Sequence, residues 1–205
     1  MTAMPPPHPN DALPAVDLLS PALLDLARNI PPARVRKSAA AGDDARRLAR
    51  KAALKAALAA GSLALPTGPL GWLTLLPELR LVWKIQIQLV SDIAALHGKK
   101  SGLTQEQVLY CLFRHSALQA FRDLVARVGE RFVVRKASAQ LIQHLVRRLA
   151  LRLTQRVVGK GVARWLPVAG AVGVGAYAYH ETSRVAETAI ELFGAEIEVD
   201  GAGES

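Results

Sequence analysis

A chain of 205 residues with a formal net charge of +9 and a pI near 10.2 is drawn to acidic partners, whether lipid or nucleic acid. Apolar residues make up 51% against only 5% aromatics, which suits close-packed helices and disfavours a sheet or a base-stacking platform. One cysteine, Cys111, excludes an internal disulfide framework and a cysteine-based zinc site, so a reducing cytoplasm is the expected compartment.

Residues 1–10 hold four prolines and no positive charge, and so lack the basic and apolar regions of a secretory signal. Residues 1–41 are expected to be disordered or loosely attached, with one short satellite helix. Ser20 would cap that helix with Pro21 at its first position, and Pro31-Pro32 would close it near Ile30. A firmer helix begins near Asp43 and Asp44, whose carboxylates suit the positive end of the helix dipole. It opens a single domain over 42–194 and carries Arg46, Arg47, Arg50, Lys51 and Lys55 before turning apolar.

From Ala56 to Pro77, 22 consecutive residues carry no charge. As one straight helix they would rise about 33 Å, close to the hydrocarbon thickness of a bilayer. Pro66, Gly68 and Pro69 break that helix into two arms, each too short to span. Lys51 and Lys55 precede the apolar run and Arg80 and Lys84 follow it, which holds both ends on one side of a membrane. The segment is therefore expected to be a re-entrant or interfacial hairpin, with Trp72 at the interface, or else a buried hairpin in a core.

Glu78 to His97 reads as an amphipathic helix, with Leu79, Val82, Ile85, Leu89, Ile93 and Leu96 at three- and four-residue spacing and Gly98 as its C-cap. Glu78, Gln86 and Asp92 are candidates for a polar pocket, and a structural hydrogen-bond network is the favoured reading of such buried groups. Thr104 and Gln107 form a capping box for the next helix, and a further helix is expected from Phe121 to Val134, adjusted near Gly129.

The helix expected over Ser138 to Val158 sets Leu141, Leu145, Leu149 and Leu153 four residues apart. Nine Lys or Arg and no acid lie between Arg131 and His180, and this basic block meets the apolar stretch from Trp165 to Tyr179. Charge joined to grease fits an anionic membrane surface better than nucleic acid, since it supplies both attraction and burial. The candidate membrane-binding residues are Arg147, Arg148, Arg152, Arg156, Lys160, Arg164, Trp165 and Trp72. Gly170, Gly173 and Gly175 suit close helix contact and do not match a dinucleotide or phosphate-loop pattern.

No catalytic, cofactor or metal residue is assigned. Cys111 and His115 stand four apart on one helix without an orienting third group, and Cys111 reads as core. The five histidines lack zinc-site spacing. Residues 195–205 read as a mobile acidic tail that would compete with lipid for the basic helix.

Leu65-Pro66-Thr67-Gly68, Leu76-Pro77-Glu78-Leu79, the helix from Ile85-Gln86 to Gly98, and Trp165-Leu166-Pro167-Val168-Ala169-Gly170 with its Tyr177-Ala178-Tyr179 end together resemble the bacterial EcsC family, over roughly 48–194. That resemblance implies a bacterial, helical, membrane-associated protein from a family named after an ABC-transporter operon, with no chemistry to carry onto individual residues.

The expected fold is all-α, a single helical bundle built around two Pro/Gly-interrupted apolar hairpins. The expected function is non-enzymatic docking on, or insertion into, the cytoplasmic face of the inner membrane, with peripheral or re-entrant attachment, assisting a transporter or envelope process. The partners are then an anionic membrane surface and a transporter or other membrane protein. A soluble helical hydrolase or lipid- or apolar-ligand-binding protein is the alternative, and a non-specific nucleic-acid binder, disfavoured by the lack of interleaved aromatics, is the third.

Overall fold

The computed structural model describes residues 13–63, 71–99, 103–117, 125–128, 131–134, 138–159 and 167–194. They form α1 (Leu13–Arg28), α2 (Ala41–Leu63), α3 (Gly71–Leu96), α4 (Gln105–Ala117), β1 (Val125–Val128), β2 (Arg131–Val134), α5 (Ala139–Gly159) and α6 (Pro167–Gly194). The fold is all-α, with one short hairpin beside six helices among the described residues.

Helix α1 starts seven residues before the expected cap at Ser20, and Pro21 lies inside it. The stripe Val16, Leu19, Leu23 and Leu26 explains the extension. Its spacing aligns four buried side chains, and their burial offsets the one backbone bond that Pro21 cannot donate. Ser20 instead donates its hydroxyl to the Val16 carbonyl at 2.7 Å. The helix expected to lie apart as a satellite packs on α3, α4 and α5 and contributes to the main core.

Helices α2 and α3 are antiparallel. The Ser38 amide donates to the Leu96 carbonyl at 3.1 Å, which brings the start of α2 to the end of α3. At that start Ser38 donates to Asp44 and Arg47 pairs with it, and both hold the Asp44 carboxyl below its usual range. Helix α3 begins seven residues ahead of the expected Glu78 and runs through Pro77. Gly98 closes it with a φ of 81°, a left-handed torsion that favours glycine.

Helix α6 runs parallel to α3. Gln86 and Thr182 are hydrogen-bonded, and each stands fifteen residues beyond the first residue of its helix. At the far ends the His97 ring lies against Gly194. Small residues let α2 and α6 meet closely. Ala56, Ala60 and Ala178 are buried together, and a Cβ on Gly175 would stand 3.0 Å from the Ala57 carbonyl oxygen. Gly173 faces open space, so close contact holds at Gly175 and not at Gly173.

The Thr104–Gln107 capping box forms reciprocally, at 3.1 Å from the Thr104 amide and 3.3 Å from the Gln107 amide. Trp83 of α3 meets Phe113 of α4 edge-on at 6.0 Å. Arg114 ties α4 to α6 through Glu191 and lies over the Tyr110 ring.

The helix expected from Phe121 to Val134 is corrected by β1 and β2, which pair antiparallel with Val125 opposite Val134 and Val128 opposite Arg131. Four valines in the strands resist helical χ1 confinement, and only Gly129 and Glu130 separate the strands in the chain, the spacing of a tight hairpin. In α5 the buried stripe is Ile142, Leu145, Val146, Leu149 and Ala150, with Leu141 exposed. It is rotated from the expected one because both i+3 and i+4 neighbours pack. Ser138 caps that helix through the Leu141 amide at 3.3 Å.

Candidate functional site

The directions of the three helices place their ends together. Antiparallel α2 finishes at Leu63, α3 starts at Gly71, and parallel α6 starts at Pro167 level with α3. The described ends of both apolar segments therefore meet at one pole of the bundle. The expected turn at Pro66, Gly68 and Pro69 lies outside the described residues, as do Lys160, Arg164 and Trp165.

Just below this pole, large apolar side chains face solvent: Leu54 and Leu58 on α2 at 55% and 66% exposure, Leu81 on α3, and Val172, Tyr177 and Tyr179 on α6, with Val172 at 68%. Each stands within twelve residues of its helix end at the pole, about 18 Å along an axis. Where α2 and α6 touch, the buried residues are alanine and glycine, with Val82 and Ile85 of α3 packed against them, and those larger exposed side chains point elsewhere. Lys51, Lys55, Arg80 and Lys84 are exposed at the same levels. No carboxylate occurs among residues 51–62, 79–91 or 172–180. Glu78 lies in the same part of α3 with its side chain outside the described set, so it is the described exposed side chains of α2, α3 and α6 here that are apolar and cationic, and long lysine side chains can keep their ammoniums wet while neighbouring leucines enter a less polar phase.

Arg147 and Arg148 are exposed on α5, which packs against α1 and α4. Arg152 and Arg156 lie further along the same helix, and Trp72 lies in the first turn of α3, with side chains outside the described set. The pole residues Leu54, Leu58 and Leu81 are absent from the candidates drawn from sequence. Their signal was present in the leucines spaced between Lys51 and Lys84, but only the placement of α6 shows which of them α6 leaves uncovered.

The three polar-pocket candidates are not brought together. Gln86 is buried and donates to Thr182 at 3.2 Å, between α3 and α6. Asp92 is buried on another side, where one carboxylate oxygen accepts from the Arg34 amide at 2.7 Å and from Gln88 at 3.1 Å. With Ser91 donating to the Pro31 carbonyl and Gln88 to that of Pro32, Asp92 anchors the segment joining α1 to α2. Glu78 is on α3, its side chain outside the described set.

Cys111 is fully buried, and desolvation pushes its thiol far above the ordinary range, which removes the thiolate a nucleophile needs. His115 is exposed, with its ring 3.5 Å from the Thr188 hydroxyl. Partial desolvation and then the nearby guanidiniums of Arg184 and Arg114 hold the imidazole below its usual range. With the thiol kept protonated in the core and the imidazole turned to Thr188, the two do not make an acyl-transfer pair. Among the described residues no group of three or more His, Cys, Asp or Glu could hold a metal ion, and no helix is long and apolar enough to cross a membrane.

The model of the EcsC protein family matches residues 14–194, from the second residue of α1 to the last of α6. The chain belongs to the EcsC family. The match reaches back beyond the stretch that carries the sequence resemblance, and so includes the helix that joins the core through Val16 and Leu23. This EcsC chain matches no curated protein and no solved structure.

Proposed function

We propose that this EcsC protein is a non-enzymatic membrane-surface protein that docks on the anionic cytoplasmic face of a bacterial inner membrane through the pole of α2, α3 and α6. The observation that carries this reading is the pole, where exposed Leu54, Leu58, Leu81 and Val172 stand among exposed Lys51, Lys55, Arg80 and Lys84. Coulomb attraction concentrates the protein at the surface, at about 1 kcal/mol per basic side chain near an anionic leaflet. Burial of the leucines then holds it there, each contributing up to about 2 kcal/mol when fully covered. Shallow or re-entrant attachment agrees with there being, among the described residues, no helix long and apolar enough to cross a membrane.

Exposed Arg147 and Arg148, with Arg152 and Arg156 further along α5 and Lys160 and Arg164 after it in the chain, add basic charge that the same leaflet would attract. A protein held this way would serve a transporter or another membrane protein from the cytoplasmic side.

Co-sedimentation of the full chain with vesicles tests the reading. Binding is expected to phosphatidylglycerol-containing vesicles and not to phosphatidylcholine vesicles, and the double variant Leu54→Asp with Leu58→Asp should bind at least about tenfold more weakly. Absence of binding to anionic vesicles at low salt, or equal binding by the double variant, would overturn it.

A further inference from the structure

Between α1, α2 and α3 lies an open cleft of about 650 Å3, a size that holds single ligands. Its walls include Leu26, Leu48, Ala52, Ile85 and Leu89, while Arg34, Lys51, Lys55 and Lys84 also line it. Four cations there face two carboxylates, Asp25 and Asp92, and one oxygen of Asp92 already accepts from the Arg34 backbone amide and the Gln88 side-chain amide. Lys51 stands twelve residues before the end of α2 and Lys84 thirteen after the start of α3, so the antiparallel pair brings them level across the cleft. Neither lysine is ion-paired among the described residues.

We propose that this cleft binds one single-chain lipid phosphate monoester, with the phosphate between Lys51 and Lys84 and the acyl chain along Ala52, Ile85 and Leu89. A phosphate monoester carries up to two negative charges near neutral pH and matches a pair of facing ammoniums better than a carboxylate does. The apolar floor gives the chain an area to cover that a free phosphate would leave bare. The inference rests on the docking reading for the source of the lipid, since Lys51 and Lys84 belong to the cationic surface beside the exposed leucines, but binding of a dispersed monomer does not require docking.

Titration calorimetry of the full chain with lauroyl lysophosphatidic acid, kept below its aggregation threshold, tests it. One molecule per chain is expected. Lys51→Gln and Lys84→Gln should each weaken binding about fivefold, the scale of one exposed ionic contact. Ala52→Phe, which fills the floor, should abolish the heat. Lauroyl lysophosphatidylcholine, laurate and inorganic phosphate should each bind more weakly. The Leu54→Asp, Leu58→Asp variant should lose vesicle binding yet keep monomer binding, which separates failure of the docking reading from failure of this one. Equal binding of the choline lipid or of laurate, equal binding of inorganic phosphate, or unchanged affinity in both lysine variants would overturn the proposal.

Discussion

Asp92 carries a carboxylate into a buried position, and its two donors, a backbone amide and a side-chain amide, account for its placement. Removing it leaves the Arg34 amide without its acceptor, which costs about 2 kcal/mol, whereas Asn keeps an oxygen in the same place. Asp92→Ala is therefore expected to lower urea stability by about that amount and Asp92→Asn by less than half of it; equal losses would show that the charge, not the acceptor, holds the segment before α2. The helical spacing of α3 revealed that Gln86 and Asp92 are buried polar groups. It did not reveal their partners, because Thr182 and Arg34 are 96 and 58 residues away in the chain.

At the scale of elements, the α2–α6 contact makes opposite demands on two glycines one half-turn apart. Gly173→Ala meets open space and gains helix propensity, so it should stabilise by up to about 1 kcal/mol. Gly175→Ala pushes a methyl against the Ala57 carbonyl, and overpacking of about 2 kcal/mol exceeds the same gain, leaving a net loss of about 1 kcal/mol. Thermal or urea unfolding of the two variants checks the opposite signs. Local chemistry makes several elements legible in the sequence: acids at the start of α2, the Thr104–Gln107 box, Gly98 and Ser138. It misplaces the start of α1, where the buried stripe overrides Ser20-Pro21, and the hairpin at 125–134, where valine-rich strands replace an apolar helical pattern.

For the whole molecule, two apolar Pro/Gly segments beside basic helices are plain in the sequence, but their meeting at one end is not. That follows from the parallel course of α3 and α6, fixed by Gln86 with Thr182 and by His97 against Gly194. The same arrangement sets apart two cationic regions: the pole, where charge and several exposed leucines coincide, and α5, where Arg147 and Arg148 are exposed with Gln143, His144 and the single leucine Leu141. Among the described residues the first gathers six exposed large apolar side chains and the second one, Leu141, so the pole is where a bilayer would gain most burial. Amide hydrogen exchange of the full chain, with and without phosphatidylglycerol vesicles, reads that contact directly. Slower exchange is expected in residues 51–63, 71–84 and 167–180; unchanged exchange throughout, or protection confined to 139–159, would contradict docking through the pole.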